Sequence, residues 1–161
     1  MTTSDADPIF LSVEEVLGLH DDQLRLFGGS AGLRDRRVLE SAVAVPASTF
    51  DGVYLHQDLF HMAAAYAFHI AENQPFMDGN KRTGLNAALV FLDLNGWVVS
   101  DPQMRLYDAM LALSARQLDK NGLASLFEPS RTLCHPTNET NPGLLGLAHH
   151  PSPVKADYEE S

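Results

Sequence analysis

The sequence predicts an all-α domain, a bundle of about six helices with one small β-hairpin. Apolar residues recur at helical spacing along most of the chain, in segments separated by glycine, proline and asparagine. The segment 59–70 is apolar nearly all round, as expected of a helix buried at the centre of a bundle. A strand pattern occurs in one short run around an Asp-Gly pair.

Length, charge and cysteine content narrow the class of protein. The 161 residues, 45% of them hydrophobic, are enough for one domain with a proper core. The single cysteine, Cys134, excludes an internal disulfide framework and suits a reducing cytoplasm. No apolar run approaches the ~20 residues that span a bilayer, and the net charge of −10 argues against non-specific nucleic-acid binding. We therefore expect a cytoplasmic protein with neither nucleic acid nor membrane as a partner.

Two helices are predicted before residue 46. A capping box opens the first at Ser12, and Gly28-Gly29 end it. Asp35 is the predicted N-cap of the second helix, which Pro46 ends. His20 lies on the apolar stripe of the first helix, where a histidine is more often a buried structural group than a ligand.

The segment 49–54 is the predicted hairpin. Asp51-Gly52 suit a two-residue turn, and Phe50, Val53 and Tyr54 are aromatic or β-branched residues of the kind that favours strands. An ordinary connecting loop is the alternative that the residues alone leave open.

The central helix, 59–70, carries two histidines, and further helices follow it. His61 and His69 are eight residues apart, which is not the i, i+4 spacing of a zinc pair, so we expect no metal there. We expect a short extended piece at 97–99, a helix beginning at Asp101-Pro102, and a last helical turn after Asn121-Gly122. The next helix after the central one ends at Asn95-Gly96, with an inner stripe of Leu85, Ala88, Leu89 and Leu92.

The loop between these two helices is the candidate site. Gly79 and Asn80 at the start of a helix let backbone N–H groups converge on an anion, because glycine adopts positive φ without a steric cost. Lys81 and Arg82 add positive charge at the same point, and a guanidinium can hold a phosphate through two hydrogen bonds. Asp78 is the natural ligand for a magnesium ion that bridges phosphates. We call residues 74–82 the anion loop.

The segment 73–83 resembles the signature of Fic/Doc (Fido-fold) proteins, His-Pro-Phe-x-Asp/Glu-Gly-Asn-Gly/Lys-Arg. Lys81 and Thr83 resemble the Doc, or death-on-curing, branch of that family. The flanking layout from 10 to 127 is also similar, including Leu19-His20-Asp21 and Phe27-Gly28-Gly29. One position departs from the signature, because Gln74 stands where the family carries its catalytic histidine.

The resemblance implies a Fido-fold helical bundle and a chemistry. Doc-like proteins move the terminal phosphate of ATP to elongation factor Tu, whereas Fic proteins generally move AMP. The expected substrates and ions are then ATP and Mg²⁺, with Asp78 as the metal ligand. The nucleotide-binding residues that the resemblance implies are Gly79, Asn80, Lys81 and Arg82.

The resemblance also implies protein partners. The hairpin corresponds to a flap that docks the target protein through Phe50, Val53 and Tyr54, in a manner similar to strand addition. The chain would be the toxin of a type II toxin–antitoxin system, restrained by a separate small antitoxin protein.

Gln74 leaves the activity open. The positions assigned to catalysis are Gln74, Asp78 and Arg82, but an amide cannot accept a proton near neutral pH, although it can orient a hydroxyl. Three interpretations remain. The chain is an enzyme that is weakened or uses another general base, a catalytically inactive nucleotide- or protein-binding module, or a chain with an inactivating substitution.

Composition also divides the chain. We expect a flexible N-terminus at 1–9, the Fido domain at 10–127 and a disordered tail at 128–161. Five of the nine prolines fall in that tail among Thr, Asn, Ser and acidic residues, which disfavours a packed core there.

Overall fold

The computed structural model describes residues 6–101 and 103–129, and this part of the chain confirms the predicted helical fold. It contains six helices and a two-stranded antiparallel sheet. The helices are α1 Val13–Phe27, α2 Arg36–Ala44, α3 Leu59–Asn73, α4 Asn80–Leu94, α5 Arg105–Ser114 and α6 Lys120–Phe127. The strands are β1 Thr49–Phe50 and β2 Val53–Tyr54.

The predicted ends of α1 and α2 are confirmed. The Ser12 hydroxyl accepts a hydrogen bond from the Glu15 N–H at 3.2 Å, and the Glu15 carboxylate accepts one from the Ser12 N–H at 2.6 Å. Gly28 ends α1, and the Asp35 side chain caps α2. Pro46 lies in a single 3-10 turn, Val45–Ala47, that follows α2 directly.

The hairpin is also confirmed. Thr49 pairs with Tyr54 and Phe50 with Val53 across the two strands. Asp51 and Gly52 both have positive φ, 51° and 76°, as a two-residue turn of this kind requires. Phe50 and Val53 are exposed, whereas Tyr54 is half-buried beside the Phe10 ring.

Helix α3 is the centre of the bundle. It packs against α4 above all, and also against α6 and α2, while α4 contacts α1 and α5 in addition. Tyr66 of α3 is fully buried, and its hydroxyl accepts a hydrogen bond from the Leu11 N–H at 2.9 Å. Burial raises the pKa of Tyr66 to about 12, because the charged phenolate would lie in the core. This packing holds the end of α3 and the start of α4, which carry the anion loop. The largest fully buried side chains of the core are Tyr66, Phe76, Phe91, Phe127, Leu39 and Ile70.

Helix α5 begins later than predicted. Its first residue is Arg105, whereas the sequence predicts a start at Asp101-Pro102; Pro102 lies outside the described residues. The Asp101 carboxylate accepts hydrogen bonds from the N–H groups of Arg105 and Leu106 at 2.9 and 2.8 Å. Asp101 therefore caps the helix, but from four residues upstream.

The expected start of the last helix is also wrong. Helix α6 begins at Lys120, because the Asp119 carboxylate caps it by accepting from the Gly122 N–H at 2.7 Å, so Asn121-Gly122 lie inside the helix. Residues 97–99 belong to no helix or strand, and the extended piece expected there stays a prediction.

The buried face of α4 is also rotated from the predicted stripe. Leu85 and Leu89 pack only at the edge of the core, because α4 presents its small residues to α3. Its buried residues are Thr83, Gly84, Ala87, Ala88, Phe91 and Leu92.

The N-terminal segment contacts the end of α4. The Asn95 side chain accepts from the Ile9 N–H at 2.8 Å and donates to the Ile9 carbonyl at 2.9 Å, so Ile9 is fixed on the C-cap of α4. Residues 1–5 and 130–161, which include nearly all of the predicted tail, lie outside the described residues. Within 6–101 and 103–129, no helix has the length and apolarity needed to cross a membrane.

Candidate functional site

The anion loop turns the chain from the end of α3 to the start of α4. Gln74 ends α3 in the left-handed region, with φ 48° and ψ 59°. Gly79 is the N-cap of α4 with φ 75°, a conformation that favours glycine, and no side chain caps this helix. The first backbone N–H groups of α4 have no partner within the helix, so they can bind an anion.

The loop is braced by the connection between α1 and α2. The Pro75 carbonyl accepts hydrogen bonds from the N–H groups of Arg34 and Asp35 at 2.7 and 3.1 Å. The Met77 N–H donates to the Gly32 carbonyl at 3.0 Å. Through these bonds the α1–α2 connection and the anion loop pair as a short antiparallel bridge.

Phe76 anchors the loop in the core. Its side chain is buried and stacks on the His20 ring, with centroids 3.8 Å apart and planes 5° apart. His20 Nε2 lies 2.8 Å from the Asp78 carbonyl oxygen and must carry the proton, because a carbonyl only accepts. The buried position and this bond support the structural interpretation of His20.

Asp78 is held as an anion. Its Oδ2 accepts from the Ser30 N–H at 3.1 Å and its Oδ1 from the Gly79 N–H at 2.8 Å. These two backbone bonds, followed by the charge of Arg82, lower the pKa of Asp78 below its ordinary value. A Cβ at Gly29 would lie 2.6 Å from Asp78 Oδ2, so this contact needs glycine at 29.

The carboxylate of Asp78 fits a magnesium ion that arrives with a nucleotide. Magnesium is usually bound through one or two carboxylates together with substrate phosphates and waters. Among the residues that the structure describes, no group of three His, Cys, Asp or Glu side chains could hold a metal alone. The donor set therefore fits a shared site and not an all-protein cage.

Arg82 is oriented by the end of α1. Its Nη2 donates to the Gly28 carbonyl at 3.2 Å, and its Cζ lies 5.5 Å from the centre of the Phe27 ring. A guanidinium has five N–H donors, so this contact leaves others for a ligand. Arg82 is thus a partly buried cation set beside the free N–H groups of α4.

Asn80 contributes to the site in a way that the sequence does not reveal. Its side chain is committed to hydrogen bonds with the Phe76 backbone. Only its backbone N–H, at the first position of α4, is left for the predicted anion nest.

A cleft of about 400 Å³ lies over this loop. A ligand cavity in proteins typically has ~300–1,000 Å³, so the cleft is large enough for a small molecule. It brings together the predicted residues of the anion loop with Tyr107, which sequence reasoning missed because α5 carries no motif at that position. The cleft is lined by Ala71, Gln74, Met77, Asp78, Gly79, Asn80, Lys81, Arg82 and Tyr107.

The cleft is rich in hydrogen-bond donors and poor in bases. No histidine is among its lining residues, and Gln74 is exposed at the position where a base would stand. Asp78 is a weak base because its pKa is lowered. His69 does not line the cleft, since its Nε2 lies 3.3 Å from Lys120 Nζ instead. The arrangement can bind and polarise a phosphate group, but it offers no ready proton acceptor.

The hairpin stands apart from the cleft. Phe50, Val53 and Tyr54 are not among the residues that line it, so the predicted flap is not joined to the anion loop in a single cavity. The exposed side chains of Phe50 and Val53 remain available to a partner.

Comparison with known proteins gives the family. The family model described as "Fic/DOC family" matches residues 10–92, which include the anion loop. Toxin Doc of Mycolicibacterium smegmatis is 38% identical over 101 residues, covering 62% of this chain and 78% of that protein. Protein kinase doc of Escherichia phage P1 is 36% identical over 91 residues, covering 56% of this chain and 71% of that protein. The chain therefore belongs to the Fic/DOC family and is a Doc-like member of it.

Proposed function

We propose that the chain is the toxin of a type II toxin–antitoxin pair, and that it transfers the terminal phosphate of ATP to a hydroxyl group of a target protein. Elongation factor Tu is the target that the Doc resemblance suggests. The observation that carries the proposal is the convergence of Asp78, Lys81, Arg82 and the free start of α4 on one cleft. The names of the two relatives, a toxin and a protein kinase, support the same reaction class.

Each residue of the loop has a role in this proposal. The first N–H groups of α4, at Asn80 and Lys81, bind phosphate oxygens together with the Lys81 ammonium. Arg82 offers a guanidinium already oriented by Gly28, so little side-chain freedom is lost on binding. Asp78 would hold Mg²⁺, which supplies charge to neutralise the phosphates when it is bound.

The reaction replaces one phosphorus–oxygen bond by another. The target hydroxyl oxygen bonds to the terminal phosphorus, the bond to the β-phosphate oxygen breaks, and ADP leaves. Positioning and charge stabilisation supply most of the rate in phosphoryl transfer, and the loop provides both.

Gln74 sets the efficiency of this reaction. Its side-chain oxygen can accept a hydrogen bond from the target hydroxyl and orient it, while the proton leaves to solvent or phosphate. A positioned general base usually contributes ~10²–10⁴-fold, so we expect a slow enzyme.

A second candidate function is a nucleotide- or protein-binding module without catalysis. The specific observation that favours it is the absence of an imidazole from the residues that line the cleft. Transfer of AMP in place of phosphate is disfavoured by Lys81, which matches the Doc form of the signature. In either case a small antitoxin and a cytoplasmic location remain part of the proposal.

The test uses ATP labelled at the γ- or the α-phosphate, with Mg²⁺ and purified elongation factor Tu. Transfer of the γ-label alone is expected, and Arg82→Ala should weaken ATP binding about tenfold or more through loss of the charged hydrogen bonds. Arg36→Ala is the matched control, because Arg36 pairs with Glu14 and Glu40 on the surface. ATP binding without label transfer would favour the binding module, transfer of the α-label would indicate AMP, and no ATP binding would exclude both nucleotide proposals.

A further inference from the structure

A second cavity, of about 500 Å³, lies beside the segment that follows the hairpin. Its walls come from the chain that leaves β2, from the first turn of α3 and from the start of α6. His61 and Gln74 lie 13 positions apart along α3, which corresponds to about 20 Å of helix, so this cavity is separate from the anion loop. We call it the imidazole cavity; its lining residues are Leu55, His56, Gln57, His61, Lys120 and Asn121.

Lys120 is the cation of the imidazole cavity. Its Nζ lies 3.3 Å from His69 Nε2, which must be the acceptor because an ammonium only donates. The same Nζ lies 5.4 Å from the centre of the Phe68 ring. Neither a neutral imidazole nor an aromatic ring cancels a formal charge. No salt bridge within 6–101 and 103–129 includes Lys120.

Two imidazoles near Lys120 have lowered pKa values. Burial, together with the charge of Lys120, lowers the pKa of His69 to about 4. Burial, Lys120 and His61 lower the pKa of His56 in the same direction. Burial and the charge of Lys120 thus both disfavour protonation of His56 and His69.

The acidic groups near this cluster are engaged or lie elsewhere. Asp58 caps α3 by accepting from the His61 N–H at 2.8 Å, and its Oδ1 is also 2.8 Å from His61 Nδ1. Glu72 and Asp119 line another cavity of about 690 Å³, which Lys120 also lines. No Asp or Glu is among the lining residues of the imidazole cavity, whose amide groups come from Gln57 and Asn121.

We propose that the imidazole cavity binds an oxyanion, the phosphate or carboxylate group of a ligand. Lys120 supplies the opposite charge, and the Gln57 and Asn121 amides supply neutral N–H donors. An oxyanion there offsets the charge of Lys120, which disfavours protonation of His56 and His69, so it favours protonation of the two imidazoles. Binding is therefore expected to strengthen as the pH falls toward 6. The site does not depend on the function of the anion loop.

The test is an NMR titration of the imidazole ring signals of His56 and His69 with inorganic phosphate at constant ionic strength. We expect saturable shifts and higher pKa values for both rings. A parallel titration with acetate distinguishes a carboxylate site from a phosphate site. The ligand that saturates the shifts at the lower concentration, acetate or phosphate, indicates which group the site prefers. Lys120→Gln should weaken binding about tenfold or more, because it keeps a polar N–H donor, on a side chain one atom shorter, and loses the charge.

Matched variants separate this site from its neighbours. Arg116→Gln removes a cation that lines only the larger cavity, and Arg82→Ala removes one from the anion loop; both should bind phosphate at the His56 and His69 signals as the unchanged chain does. Asn121→Ala, which leaves Lys120 in place, should weaken binding by a few-fold. Shifts that grow without saturation, or that Lys120→Gln and Asn121→Ala leave unaltered, would overturn the proposal.

Discussion

The side chain of Asn80 bonds to both backbone groups of Phe76. Its Oδ1 accepts from the Phe76 N–H at 3.0 Å, and its Nδ2 donates to the Phe76 carbonyl at 3.0 Å. This pair of bonds closes the anion loop over its buried aromatic residue. Asn80 is thus required for the shape of the loop, and a ligand is not needed to explain its amide.

Replacing Asn80 by alanine tests this relationship. Two lost hydrogen bonds, each with a net contribution of ~0.5–1.5 kcal/mol, should lower the free energy of unfolding by about 1–3 kcal/mol. ATP affinity should fall as well, because Asp78 and Gly79 lose their fixed position. Urea unfolding and calorimetry measure the two effects. Asn86→Ala, further along α4, is the control; an equal loss in both variants would show that the Asn80 contact has no special role.

Replacing Gln74 by histidine should restore a base. Histidine tolerates the left-handed conformation found at 74 better than most residues, and its pKa near 6.5 suits proton abstraction at neutral pH. Phosphate transfer should rise by about 10²–10⁴-fold, and expression should become toxic. ATP affinity should barely change. Labelled-ATP assays and growth curves measure the outcome; a folded, ATP-binding variant without transfer would show that more than the base is missing.

Gly84 lets α3 and α4 approach each other closely. A Cβ at this position would lie 2.8 Å from the Ala67 carbonyl oxygen, a backbone atom that cannot move without moving α3. Gly84→Ala should therefore lower the free energy of unfolding by about 1–3 kcal/mol through overpacking.

Gly18→Ala is the matched control within α1, because a Cβ there meets nothing within 4 Å. It should raise the free energy of unfolding by up to ~1 kcal/mol through helix propensity. Urea denaturation compares the two variants. Shifts in the same direction would contradict the close contact at Gly84.

The lowered pKa of His69 predicts a loss of stability in mild acid. Between about pH 6.5 and 4 the unfolded chain binds a proton at His69 that the folded chain does not, so the free energy of unfolding falls as the pH falls through that range. Above pH 6.5 both states are neutral and the effect is absent. The slope stays below the limit of ~1.4 kcal/mol per pH unit, because solvent screens a half-buried group.

His69→Gln keeps an acceptor for Lys120 and removes the titration. Urea unfolding at several pH values between 7.5 and 4.5 should then show a flatter pH dependence than in the unchanged chain. His149→Gln, in the predicted tail, is the control and should leave the dependence as it is. Equal slopes in all three chains would exclude a contribution of His69.

Local patterns in the sequence were sufficient for the type and order of the elements and for the composition of the loop. Ser12 and Asp35 cap their helices as predicted, because capping joins groups only two or three residues apart. The hairpin turn at Asp51-Gly52 follows from two adjacent residues. Prediction was weaker where the pattern was ambiguous, as at Asp101, whose side chain caps a helix that starts four residues later.

Tertiary structure decided how the site is held. The Ser30 N–H reaches the Asp78 carboxylate across 48 positions, and Arg82 reaches the Gly28 carbonyl across 54. Tyr107 joins the cleft, and Lys120 joins His69 across 51 positions. Periodicity and capping describe neighbours along the chain, whereas these contacts depend on how helices cross. The sequence by itself indicated which groups of the anion loop could bind a phosphate. Only the packing of α1 and α5 against α4, and of α6 against α3, determined which side chains meet them.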